Sequence, residues 1–214
     1  MANRSTSGFG LRVAMKLGNS PAISGQSKYA IKSGLGVGIF KGNPASIQLA
    51  GDTGFIQDSA FSTTDDGNDG GIDFTTANDA LLVGVHNGVF FIDGTTSKPT
   101  FANSVAASAT FGTNPNTGST NGVAFVNDDP DQEYVVKADA AVGQAIFGLC
   151  GNINDFAAGD AKDGASTATF DSGTQGETKM FRIVRSAEDP DNEDLTAAGA
   201  NIIVVINAAA NTYR

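Results

Sequence analysis

The chain has 214 residues, of which 40% are hydrophobic and 17% charged, with 27 glycines, no tryptophan and a formal net charge of −10. An acidic surface repels phosphates and excludes general nucleic-acid binding, and no apolar run nears the roughly 18 residues that span a bilayer. The single cysteine excludes an internal disulfide.

Residues 1–20 are small and polar, without the apolar h-region of a signal peptide, and read as an N-terminal arm; 21–214 read as one β-rich domain. Tyr29-Ala-Ile-Lys32 alternates as a strand. Gly34-Leu-Gly-Val-Gly-Ile-Phe-Lys41 is a glycine-rich strand ending at Gly42-Asn-Pro44. Its Gly34-x-Gly36-x-Gly38 is not a nucleotide loop: the dinucleotide fingerprint passes from strand to helix, and here Ile39-Phe40 continues the strand. Leu81–Ile92 contains Asn87-Gly88 between apolar β-formers, which predicts a two-residue hairpin with His86 half-exposed beside it. Val123–Val126 and Tyr134–Lys137 are strands separated by Asp128-Asp-Pro-Asp131. Lys179–Arg185 is another strand. Ile202-Ile-Val-Val-Ile206 is a continuous β-branched run that predicts burial on both faces. Helix signals are scarce: Ala106–Thr110 is too short and too rich in Ser and Thr, and Ala157–Ala161 and Leu195–Ala198 each suit a single turn. The expectation is an all-β fold, a barrel or sandwich of about ten short antiparallel strands with an extended N-terminal arm. One element recurs: Asp129-Pro-Asp-Gln-Glu133 and Asp189-Pro-Asp-Asn-Glu193 share D-P-D-x-E, and Pro after Asp describes a type I turn.

The charge is uneven. Residues 1–51 contain Arg4, Arg12, Lys16, Lys28, Lys32 and Lys41 and no acid, so the net −10 leaves −16 on the rest. Two readings follow: a basic segment lying across its own acidic domain, or a basic arm reaching an acidic neighbour. In the second, Arg4, Arg12 and Lys16 supply charge-assisted contacts and Phe9 and Leu11 apolar anchors, and deletion of residues 1–20 leaves the body folded.

Catalytic chemistry has little to draw on. His86 is the only histidine and has no G-x-S-x-G serine to serve. Cys150, in Phe147-Gly-Leu-Cys-Gly151, reads as a small buried residue. One His and one Cys do not make a zinc site. The oxygen-rich stretches are Asp65–Asp73, the cluster Asp128, Asp129, Asp131 and Glu133, and the cluster Glu188, Asp189, Asp191, Glu193 and Asp194. They read as solvated loops; from Asp66 the calcium-loop template puts Ala77 at its twelfth position and fails. No catalytic residue, metal or cofactor is expected.

Several segments together resemble a widespread family of tailed-bacteriophage virion proteins, the marine-phage head proteins that decorate or stabilise the capsid. They are Gly8-Phe-Gly-Leu-Arg12, Tyr29-x-Ile31 with Ile39-Phe-Lys-Gly-Asn43, Leu82-Val-Gly-Val85 with Gly88-Val-Phe-Phe-Ile-Asp93, and Lys98-Pro-Thr-Phe101. Asp128-Asp-Pro130 with Glu133–Asp139, Arg182-Ile-Val-Arg185, Asp189–Glu193 and Val204-Val-Ile-Asn207 complete the set. The resemblance implies a non-enzymatic β-barrel head protein, made in the bacterial host cytoplasm and placed on the capsid surface of the virion. The expected partners are the major capsid protein and further copies of itself, with no direct nucleic acid and no membrane. The alternative is a carbohydrate- or host-surface-binding β module of a head or tail fibre, which an exposed aromatic platform would favour.

Overall fold

The computed structural model describes residues 3–18, 20–21, 25–47, 54–58, 82–154, 159–176 and 179–213. The acidic stretch Asp65–Asp73 lies outside the described residues, as does most of the turn expected at Ala157–Ala161. The described chain is β throughout. In order, the strands are β1 (Arg12–Lys16), β2 (Ser20–Pro21), β3 (Ser27–Ile31), β4 (Ile39–Phe40), β5 (Pro44–Ile47), β6 (Ile56–Asp58), β7 (Leu82–Ile92) and β8 (Pro99–Ala102). They continue as β9 (Ser104–Val105), β10 (Gly122–Asn127), β11 (Gln132–Lys137), β12 (Cys150–Asn154), β13 (Thr169–Gln175), β14 (Phe181–Ser186) and β15 (Asn201–Ile206). Among the described residues the helical content is two single 3-10 turns, Gln144–Ile146 and Ala208–Ala210, and the turn expected at Leu195–Ala198 does not become helical.

Two antiparallel sheets carry the molecule. One runs β13-β12-β14-β15-β11-β1-β2; the other runs β3-β10-β7-β5-β6, with β8 also paired to β7. Among the described residues both sheets keep open edges, so the architecture is a sandwich and not the closed barrel that was the other expectation. The turn at Asp129–Gln132 carries the chain from β10 in one sheet to β11 in the other.

β15 runs through the middle of the seven-stranded sheet and is buried at every position, as its unbroken β-branched run predicts. Ile202, Val204 and Ile206 enter one core with Tyr134, Phe170 and Phe181. Ile203 and Val205 belong to the opposite face. There they pair with Arg185 and Glu133 respectively, and the Arg185–Glu133 ion pair closes over that face. The second core lies on the six-stranded sheet, among Ile31, Ile39, Val89, Phe111 and Val126.

The hairpin expected at Asn87-Gly88 does not form. β7 is one strand of 11 residues, held on both sides by strands distant in sequence. Against β10, Phe125 pairs with Gly88 and Val126 with His86, so Asn87 is the extra residue of a β-bulge. The Asn-Gly pair therefore makes a bulge in place of a turn, because partners on both flanks hold the chain extended. The bulge also reverses which way the preceding residues face. His86 shares the inward face of Val126, and Val85 and Leu82 pack into the core of the seven-stranded sheet.

Candidate functional site

The segment expected as an arm is part of the body. β1 pairs with β11, Leu11 is a core residue, and Gly10 and Leu11 donate backbone N–H groups to Ala168 and Gly42. Gly8 lies so close to the chain that a Cβ on it would stand 2.0 Å from the Thr167 carbonyl oxygen.

The two D-P-D-x-E turns receive this segment in the same way. In each, the fourth residue donates its N–H to the carbonyl of the first: Gln132 to Asp129 at 3.1 Å, and Asn192 to Asp189 at 2.9 Å. The first Asp caps the third residue's N–H, at 3.0 Å and 3.1 Å. The carbonyl of the third residue then accepts from the N-terminal segment: Asp131 from Leu17 at 2.9 Å, Asp191 from Arg4 at 3.0 Å. A cation completes each contact, Lys16 on Asp129 and Arg4 on Asp191. The basic segment thus lies across its own acidic turns, the first of the two readings of the charge asymmetry.

Of the five residues expected to touch a neighbour, Arg4 and Lys16 hold these intrachain ion pairs and Leu11 is buried. A buried Leu11 has no apolar surface left for a second subunit. Phe9 and Arg12 remain at the surface. The Arg12 guanidinium lies 4.2 Å from the Phe9 ring centre, and the Lys137 ammonium lies 5.6 Å from it. Lys137 donates to the Ser5 carbonyl at 2.9 Å. Burial pushes its ammonium below its ordinary value, Asp189 opposes and Arg12 adds to the shift. Phe9, Arg12, Lys41, Asn127 and Asp163 border a cleft of about 420 Å³ between the sheets.

His86 is 1% exposed, not half-exposed as its supposed turn suggested. Its Nε2 lies 3.2 Å from the Gln57 carbonyl and must donate there; among the described residues Nδ1 has no partner. Burial lowers its pKa to about 4, with the Gln57 bond opposing, so the ring is neutral at pH 7. Cys150 is buried, as expected.

The acidic clusters bind inward. Asp128 accepts from Tyr29 at 2.7 Å, Asp129 holds Lys16, and Glu133 holds Arg185. Asp189 accepts from the Asp191 N–H, Asn192 and Asn201, and Asp194 from Thr196; these bonds hold both carboxyls below the usual range. Among the described residues no three His, Cys, Asp or Glu side chains converge on a metal position.

One surface feature has no counterpart in the sequence reading. On the face of the six-stranded sheet away from its core, Phe101, Phe90, Val123 and Ala30 stand opposite one another in register across four strands. Phe101 is 75% exposed. Beside this row, Gly88 faces Phe125. β8 and β10 flank β7 on opposite sides, so their Phe101 and Phe125 belong to strands about 10 Å apart. Their ring centres are nevertheless 6.4 Å apart, with the planes 20° from parallel. The missing side chain at Gly88 lets the rings lean together. Alternation did not reveal this, because β8 is only four residues long.

Comparison of the chain with protein-family models, with curated proteins and with solved structures finds no match.

Proposed function

We propose that the chain is a non-enzymatic structural protein that binds the assembled head of a tailed phage and stabilises or decorates it. The single observation that supports this best is the open edge of the seven-stranded sheet at β1 and β2. There Met15, on β1, and Leu17, in the turn that follows it, are 47% and 41% exposed on a segment anchored in the body. Two apolar side chains on a rigid edge form a contact that costs little conformational entropy to order. Among the described residues Arg12, on β1, makes no ion pair, and its exposed guanidinium can meet a carboxylate of a neighbour. The motif resemblance points to the same role.

A shell strained from within by packaged DNA is stabilised by any protein that binds it better than dispersed subunits. Copies joined at a symmetry axis gain further from multivalency. The partners in this reading are the major capsid protein and further copies of the chain. The test uses particles lacking the protein, to which the purified chain is added back. The wild type is expected to bind at saturating occupancy, and a Met15→Asp, Leu17→Asp double variant to lose it while melting like the parent. Full occupancy by that variant removes the edge from the interface; no binding by the wild type overturns the function.

A further inference from the structure

We propose that the trough around Gly88 is a binding site for a neutral sugar unit of a polysaccharide. The site is additional to the capsid reading and does not rest on it.

The trough holds about 490 Å³ and is bordered by Gln26, Asn87, Gly88, Phe101, Asn103 and Phe125. Three properties select the ligand. The first is the apolar surface. Phe101 and Phe125, at 6.4 Å, lie within direct aromatic contact. Both rings line the trough, and Phe101 is 75% exposed. Phe90, in register beside Phe101 on the same face, packs against it with ring centres 4.5 Å apart. The negative face of such rings attracts the C–H groups on one side of a pyranose, and their exposure is preformed, so no rearrangement opposes binding.

The second is hydrogen-bonding capacity. The Asn87 amide donates to the Gln26 Oε1 at 2.9 Å, and Asn103 donates to the Asp163 carbonyl at 2.9 Å. These bonds fix the amide orientations. They leave Gln26 Nε2 as donor and the Asn87 and Asn103 Oδ1 atoms as acceptors at the rim. Hydroxyl groups, each both donor and acceptor, match such a mixed set.

The third is charge. Among the described residues no ionised side chain lines the trough, and one cation, Lys28, stands opposite Phe125 on the neighbouring strand. An anionic ligand would meet only Lys28, beyond Phe125, and a cationic ligand no lining carboxylate. A neutral ligand with an apolar face and a hydroxylated rim fits all three properties. The β-bulge is what builds the site: it turns Asn87 out to the rim and leaves Gly88 as the floor.

The test is an array of neutral and acidic bacterial polysaccharide fragments, followed by titration calorimetry with the best-bound neutral hexasaccharide. The expected result is selective binding of neutral glycans. Phe101→Ala should weaken it about tenfold or more, which corresponds to about 1.4 kcal/mol. Gln26→Ala, at an exposed position, should weaken it several-fold, and both variants should melt like the parent. If Phe101→Ala is unstable, Gln26→Ala alone decides the question. The proposal is overturned if no neutral glycan binds, if only acidic glycans bind, or if the folded variants bind unchanged. It is also overturned if Phe101→Ala strips the protein from capsids while the parent binds no glycan, which assigns the face to the shell. Loss of capsid binding by the Met15 and Leu17 variant with glycan binding intact separates this site from the capsid edge.

Discussion

Arg4 is bound twice by Asp191: its guanidinium donates to the carboxylate at 2.8 Å, and its backbone N–H donates to the carbonyl at 3.0 Å. The ion pair is exposed, 77% on one side chain and 58% on the other, so Arg4→Ala should cost no more than about 1 kcal/mol. The backbone bond and the buried side chain further along are the stronger attachments. Leu11→Ala, in the core, should cost about 2–5 kcal/mol. Deleting residues 1–20 removes β1 and Leu11 together and should unfold the domain or lower its melting temperature by many degrees. The sequence suggested the opposite outcome. A truncated protein that melts like the parent would show that the segment is an accessory arm after all.

Glu133 and Arg185 form the other dominant charge contact. Glu133 is fully buried, and both its oxygens are bound by Arg185, at 2.7 Å and 2.6 Å. Arg185→Ala strands a carboxylate inside the sheet. Its cost should fall toward the lower end of about 3–5 kcal/mol, since the arginine itself is partly solvated. A double Glu133→Leu, Arg185→Met variant should recover much of that loss, because apolar groups of similar size need no partner. Urea unfolding of the three proteins decides the matter. Equal loss in the single and double variants would mean the pair acts by packing alone.

The fold class was legible because its signals are local. Ile202–Ile206 announces a strand buried on both faces, and the D-P-D spacing announces a closed turn at each copy. What was not legible depends on pairing between distant segments. Asn87-Gly88 is a turn signal by composition, but β10, β5 and β8 hold it extended. That one residue of offset reverses His86 from surface to interior, which no reading of residues 81–92 alone supplies. The trough was missed for the same reason. Phe101 and Phe125 are 24 positions apart, and they meet only because both flank β7. The excess of basic residues before Asp52 was visible, yet charge alone could not say whether the acid it met was its own or a neighbour's.

Buried His86 makes stability depend on pH in a defined window. Its pKa is lowered in the folded state to about 4, from the usual 6.5. Above pH 6.5 the ring is neutral folded and unfolded, and it contributes no pH dependence. As pH falls from 6.5 toward 4, the unfolded chain binds a proton that the folded chain refuses, so stability is lost. The loss should reach roughly 3 kcal/mol near pH 4. His86→Gln should flatten that part of the profile, whatever it does to stability at pH 7. The Asp189 and Asp194 carboxyls, held below their ordinary value, lose their contribution only at lower pH. An unchanged slope between pH 6.5 and 4 in His86→Gln would show that another group carries the effect.

The bulge at Asn87 can be tested by removing one residue. With Asn87 deleted, β7 and β10 can pair without interruption, but every residue from Leu82 to His86 then turns to the opposite face. Leu82, Val83 and Val85, now 0%, 0% and 1% exposed, would leave their cores or force β7 to slip against β5. The deletion should therefore be far more damaging than any side-chain change at the same place. Asn87→Ser keeps the extra residue and loses a bond to Gln26 at the surface, so it should stay within about 1 kcal/mol of the parent. Gly88→Val should be destabilising by about 1–3 kcal/mol, because a φ of +149° is one that a β-branched residue resists. In a hairpin the loop would absorb a deletion more easily than a valine at its glycine. The order of thermal stability therefore discriminates: Asn87→Ser above Gly88→Val above the deletion. A deletion variant that melts above Gly88→Val would return the segment to a turn and take the floor out of the trough.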